Sequence, residues 1–145
     1  MKLTDQQIKE IAENLDAGMK CFLNKRTGEI KTILNFDSWI GADEESWAEE
    51  INEIEENWSD YFEFENMSSN DSFKLMADFA ESIDNPKLQN SLVNALNRSK
   101  PFSNFKWQID NSGEYRQQWF DYKNKRYTEW VKDQTELLNI NPDNE

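Results

Sequence analysis

The sequence predicts an α+β fold, a small antiparallel sheet packed with about five to six helices around an aromatic-rich core. Three observations carry this expectation. Apolar residues recur at helical spacing in several separate stretches; two short apolar segments flank a glycine-containing turn between residues 19 and 35; and Phe62 and Phe64 alternate with Glu63 and Glu65 as a half-buried strand requires. A chain of 145 residues lies in the range of one domain and can bury about 68% of the surface its unfolded form exposes. Residues 1–140 are expected to form a single domain, and residues 141–145, which lack apolar periodicity, a frayed tail. With six Trp and nine Phe, large rings must supply much of the buried area.

Thr4 followed three residues later by Gln7 is a capping-box pattern, and Ile8, Ile11, Ala12 and Leu15 continue it as one face of a helix to about Asp16. Gly18 can end that helix. Segments 19–24 and 29–35 flank Lys25, Arg26, Thr27 and Gly28, where the glycine can take the positive φ of a hairpin loop. Asn35 to Gly41 has no clear period and reads as a loop, with Trp39 available to pack inward. From Asp43, the steps Trp47, Ile51, Ile54, Trp58 place four apolar side chains on one face of a second helix. A third strand near 60–65 follows, joining the hairpin.

Ser68, Ser69, Asn70 and Asp71 supply N-cap candidates for a helix carrying Phe73, Met76, Phe79, Ala80 and Ile83. Asn85 with Pro86 opens the next helix, whose inner row is Leu88, Leu92, Ala95 and Leu96, so the two should form a helical hairpin. Lys100 and Pro101 break the chain before Phe102, Phe105 and Ile109, and the turn Asn111, Ser112, Gly113 precedes a last helix from Glu114 to about Leu138. Tyr115, Trp119, Tyr122 and Trp130 form one of its rows, and Phe120, Tyr127, Val131 and Leu138 the next.

Asp71 to Val131, with the hairpin Cys21 to Ile33, resembles the bacterial Uncharacterised Protein Family 0158. The segments that carry the resemblance are MADF at Met76 to Phe79, KPFSNFK at Lys100 to Lys106 and QQWFDYK at Gln117 to Lys123. The resemblance implies a small bacterial cytoplasmic protein. It brings no activity, cofactor or catalytic residue with it.

Composition narrows the chemistry. The chain has no His, which removes imidazole bases and His-ligated metals; its single Cys21 can form neither an internal disulfide nor a thiolate zinc site. The four glycines stand apart at 18, 28, 41 and 113, so no phosphate-binding loop is present. The segment Asp110 to Glu114 lacks the alternating acidic series of a calcium loop. Asp and Glu are abundant enough for a carboxylate-pair enzyme, but abundance locates no pair. No catalytic residue, cofactor or metal is therefore expected. The N-terminus lacks the apolar stretch of a signal peptide and no apolar run is long enough to cross a bilayer, which leads us to expect a cytoplasmic protein without a membrane partner, a monomer or weak dimer.

The formal charge of −13 disfavours nucleic acid and anionic membranes on average, yet it is unevenly spread. Residues 1–72 hold 18 acidic and 6 basic side chains, residues 73–145 hold 11 and 10. Residues 43–65 carry 11 Asp and Glu with no Lys or Arg, and Glu45, Glu49, Glu53 and Glu56 step along one helical row. Each adjacent pair in that row opposes the helix by roughly 0.2 to 0.5 kcal/mol, which burial of the opposite apolar face can offset, so a merely solvated face is the plain reading. The sharper reading is a surface that docks on a basic protein. Residues 98–132 hold eight basic residues, among them Lys100, Lys106, Arg116, Lys123 and Arg126, interleaved with Phe102, Phe105, Trp107 and Trp119. Such a mixture suits single-stranded nucleic acid, although rings at core spacing are more simply core. The sequence thus points to a non-catalytic protein-binding or regulatory module using the acidic face 43–65, with nucleic-acid binding through residues 98–132 as the alternative.

Overall fold

The computed structural model describes residues 3–34 and 47–140. Among them are six α-helices and a three-stranded antiparallel sheet, an α+β fold. The chain divides into two compact units, Met1–Asn66 with Tyr127–Glu145, and Met67–Arg126.

In the first unit, α1 (Asp5–Asp16) starts with the expected capping box. The Thr4 hydroxyl accepts from the Gln7 N–H at 3.1 Å and the Gln7 side chain accepts from the Thr4 N–H at 2.9 Å. Gly18, at φ 85°, turns the chain out of the helix. Strands β1 (Met19–Asn24) and β2 (Ile30–Leu34) form the hairpin. Its loop is organised by Asn24, whose side-chain oxygen accepts from the N–H groups of Arg26 and Thr27, while Gly28 at φ 80° donates to the Asn24 carbonyl at 2.8 Å.

Strand β3 (Tyr61–Glu63) pairs with β1 rather than β2, giving the order β2-β1-β3 with β1 in the centre. Alternation in β1 sends Phe22 to one side and Cys21 to the other. Phe22, Ile33 and Tyr61 pack with Ile54 of α2 (Ala48–Glu56), and Trp47 and Ile51 cover the same cluster while only partly buried. On the opposite side the Cys21 thiol lies 3.9 Å from the Ile11 carbonyl of α1, whose Ile8, Ile11, Ala12 and Leu15 are buried. The β3 segment therefore has apolar side chains on both faces: Tyr61 is buried on the α2 side, and Phe62 and Phe64 meet edge to face on the other, ring centroids 5.0 Å apart.

The helix expected over 43–58 is only partly as read. Its first four residues, with the loop at 35–41 and Trp39, lie outside the described residues. At the other end α2 stops at Glu56, because Asn57 caps it by donating from both its backbone and side-chain nitrogens to the Glu53 carbonyl. Trp58 then begins a 3-10 turn (Trp58–Asp60), loses the phase of the helix, and is 57% exposed instead of joining the inner row.

The second unit contains α3 (Ser69–Ser82), α4 (Pro86–Leu96), α5 (Pro101–Asp110) and the start of α6 (Tyr115–Ile140). Ser68 caps α3 in a reciprocal arrangement with Asp71, and Asn85 caps α4 ahead of Pro86, both as the sequence suggests. Leu75, Phe79 and Ala80 form the buried row of α3, whereas Phe73 is 37% exposed. Phe73, Leu75, Met76, Phe79 and Ala80 are spread around more than one face of that helix, so spacing alone does not choose among them. Trp119 is the centre of this core, edge-on to Phe79 at 5.2 Å and to Phe105 at 5.0 Å. Further along α6, in the first unit, Tyr127, Val131 and Thr135 are buried at steps of one helical turn.

Candidate functional site

The acidic row is built on α2. Glu49, Glu53 and Glu56 are exposed, while Glu45 lies outside the described residues. The helix carrying them lacks a side-chain N-cap and has unfavourable charge in its last turn. Trp47 occupies the N-cap position without a capping side chain, and Glu55 and Glu56 sit in the last turn, where the helix dipole disfavours negative charge. Glu53 is partly committed inside its own unit, since the Tyr61 hydroxyl donates to it at 3.4 Å. Burial works to lower the Lys31 ammonium, but the charge and hydrogen bond of Glu29, and then the fields of Tyr61 and Glu53, raise it above the ordinary lysine value. Among the described residues, Glu49, Glu55 and Glu56 have no cationic partner. At the end of this surface stands Trp58, touching Phe22 edge to face at 6.4 Å with most of its indole open.

The basic candidates fall into two groups. Three cations of α6 are engaged within their own unit. Arg116 meets Asp110 at 3.3 Å and lies over the Phe120 ring at 4.8 Å; Lys123 lies over Phe120 and Trp119 at 5.2 and 5.8 Å. Arg126 donates to the Tyr122 hydroxyl at 2.7 Å and to Asp78 at 3.3 Å, so it acts as a bridge from α6 to α3. Lys100 and Lys106 are exposed at the start and middle of α5. The rings divide likewise: Phe105 and Trp119 are core, while Phe102 is 37% and Trp107 62% exposed.

Around Trp107 the structure assembles residues that a search for charged rows does not select. An open cavity of about 300 Å³ lies along α4 and α5, lined by Asn94, Arg98, Asn104, Trp107 and Gln108, with Ser91 one turn earlier on α4. The signal for it in the sequence is an absence of acid: Pro86 to Ile109 contains Lys87, Arg98, Lys100 and Lys106 and no Asp or Glu, within a chain of net charge −13. Among the described residues, no three His, Cys, Asp or Glu side chains converge as a metal site, and no helix is long and apolar enough to cross a membrane.

Fold and surfaces together define a small α+β protein with an acidic helix beside an exposed tryptophan in one unit, and in the other an acid-free stretch, Pro86 to Ile109, along α4 and α5. The chain belongs to the Uncharacterised protein family (UPF0158), which it matches over residues 2–145. That agrees with the resemblance drawn from the MADF, KPFSNFK and QQWFDYK segments. It is similar to the "UPF0158 protein PA5073" of Pseudomonas aeruginosa, 37% identical over 76 residues that cover 52% of this chain and 50% of that protein. The chain thus spans about half the length of that curated relative. No solved structure matches it.

Proposed function

We propose that this protein is a non-catalytic binding module that engages a basic surface of another protein through the acidic face of α2 and the adjoining Trp58. The observation that carries this reading is the exposure of Trp58, 57% open at the end of a row of exposed glutamates. Trp is the residue type most often found at the energetic centre of protein interfaces, where a rigid ring covers much area at little entropic cost. Glu49 and Glu56 on the exposed face of α2 would steer a cationic partner and set its orientation. The like-charge row also favours such a partner, because neutralising it removes a repulsion of roughly 0.2 to 0.5 kcal/mol per adjacent pair.

The test is affinity capture from a lysate of the source organism with nuclease added, comparing the wild type with Glu49→Lys/Glu53→Lys and with Trp58→Ala. Proteins that survive nuclease, elute with salt and disappear from both variants are the expected result. Retention of the same proteins by all three forms would remove α2 and Trp58 from the interaction.

A further inference from the structure

We propose that the groove along α4 and α5 is a binding site for single-stranded nucleic acid, in which one base stacks on Trp107 and a neighbouring phosphate meets Arg98. Leu92, Ala95 and Leu96 of α4, with Phe105 and Ile109 of α5, are buried, so each helix spends its apolar face on the core. What remains outside is chemically distinctive. Trp107 is 62% exposed on the face of α5 opposite the fully buried Phe105 and Ile109, so the ring lies outside the core. It lies beside a guanidinium, and the cavity between them is about 300 Å³, the small end of ligand sites and suited to one base at a time.

Three amides complete the lining. Asn104 is held in place by donating to the Ser99 carbonyl at 2.9 Å, which leaves its side-chain oxygen as an acceptor. Asn94 and Gln108 make no side-chain hydrogen bond with any described residue, so both keep donors and an acceptor for a ligand. Amides of this kind pair with the edges of bases, which themselves present donors and acceptors side by side. No carboxylate in Pro86 to Ile109 opposes a phosphate, and Lys87, one turn before Ser91 on α4, and Lys106, next to Trp107, extend the positive charge past the cavity. That surplus of cations over one phosphate is the reason to name a strand rather than a free nucleotide. An exposed ring beside a basic track is the way proteins hold unpaired strands, whereas duplex bases are already stacked and offer no face to Trp107. The site is independent of the α2 surface, and Glu49→Lys/Glu53→Lys should keep the groove's dependence on Trp107 and Arg98.

The experiment is fluorescence anisotropy of a labelled single-stranded oligonucleotide of about ten thymidines at low salt, with the full chain. Binding is expected, falling with added salt, and weakened about tenfold or more by Trp107→Ala through loss of one stacked base. Arg98→Gln should weaken it too and make the slope of log affinity against log salt shallower by about 0.7, one phosphate contact on a single strand. Both side chains are exposed, so these variants should retain the core, which circular dichroism checks. The proposal is overturned by no binding at low salt, by variants that bind as the wild type does, by equal affinity for duplex of the same length, or by displacement at matched concentration with either a nucleoside monophosphate or polyglutamate.

Discussion

The indole N–H of Trp130 donates to the backbone carbonyl of Glu65 at 2.7 Å, and one turn later Gln134 grips the same residue. The Gln134 side chain accepts from the Glu65 N–H at 2.8 Å and donates to the Glu65 carbonyl at 3.0 Å. Glu65 lies just beyond β3, where its peptide groups have no strand partner, so α6 supplies by side chain what the sheet would otherwise supply. Gln134→Ala should therefore lower unfolding stability by about 1 to 2 kcal/mol, two hydrogen bonds in a partly solvated place. Urea denaturation with an unchanged m-value is the check; a loss under 0.3 kcal/mol, roughly the error of such curves, would show the clamp to be incidental.

Cys21 should be chemically silent in the native state. Burial pushes its thiol up to about 12, and the thiolate is the species that reacts. A thiol reagent added at pH 8 should modify the folded protein only at the rate of unfolding, and the denatured protein at once. Rapid labelling under native conditions would contradict the packing of Cys21 between β1 and α1.

Asp78 gives a pH dependence of known sign. The hydrogen bond from Lys74, opposed by partial burial and helped by Arg126, holds its carboxyl below the ordinary value of 3.8. A group that binds its proton less readily when folded stabilises the fold above the unfolded value, and that contribution is lost as pH falls through the lower folded value. Asp78→Asn should cost up to about 1 kcal/mol at neutral pH, and nothing once the acid titration of the wild type is complete. Parallel thermal melts at neutral and strongly acidic pH read this directly.

The negative charge in the last turn of α2 predicts a stabilising substitution. Glu55→Lys places a cation in the last turn of an acidic helix, and should raise stability by about 0.3 to 1 kcal/mol, less at high salt. By contrast Ile54→Ala, which empties the centre of the Phe22, Ile33 and Tyr61 cluster, should cost about 2 to 5 kcal/mol. Chemical denaturation of the two variants beside the wild type tests both signs together.

Much of the architecture could be read from local chemistry. The Thr4, Ser68 and Asn85 caps, the Pro86 and Pro101 starts and the Gly28 loop all lie where the sequence puts them, since each depends on one or two neighbouring residues. What local reading misplaced depends on phase or on distant partners. Trp58 keeps perfect helical spacing from Ile54, but the backbone leaves the helix at Asn57, at φ −118° and ψ 32°, and takes it out of the row. Tyr61 lies in the expected strand, but its burial comes from α2, which the alternation of the strand does not reveal. At the surface, Arg116, Lys123 and Arg126 look in sequence like free basic residues, and their engagement with Asp110, Phe120 and Tyr122 is a matter of helix geometry. The groove of Trp107 was hidden for the opposite reason: its amides carry no charge, and it is marked by residues that are missing.

The order of the two units along the chain bears on how the protein is made. Met67–Arg126 is continuous, so all of its core residues are synthesised, and leave the ribosome, ahead of Tyr127. The sheet unit is split, and its Val131, Trp130 and Gln134 are synthesised last, more than sixty residues after the β3 segment they complete. The helical unit therefore has its whole sequence available first, while the sheet stays without its final cover until the last turns of α6 arrive.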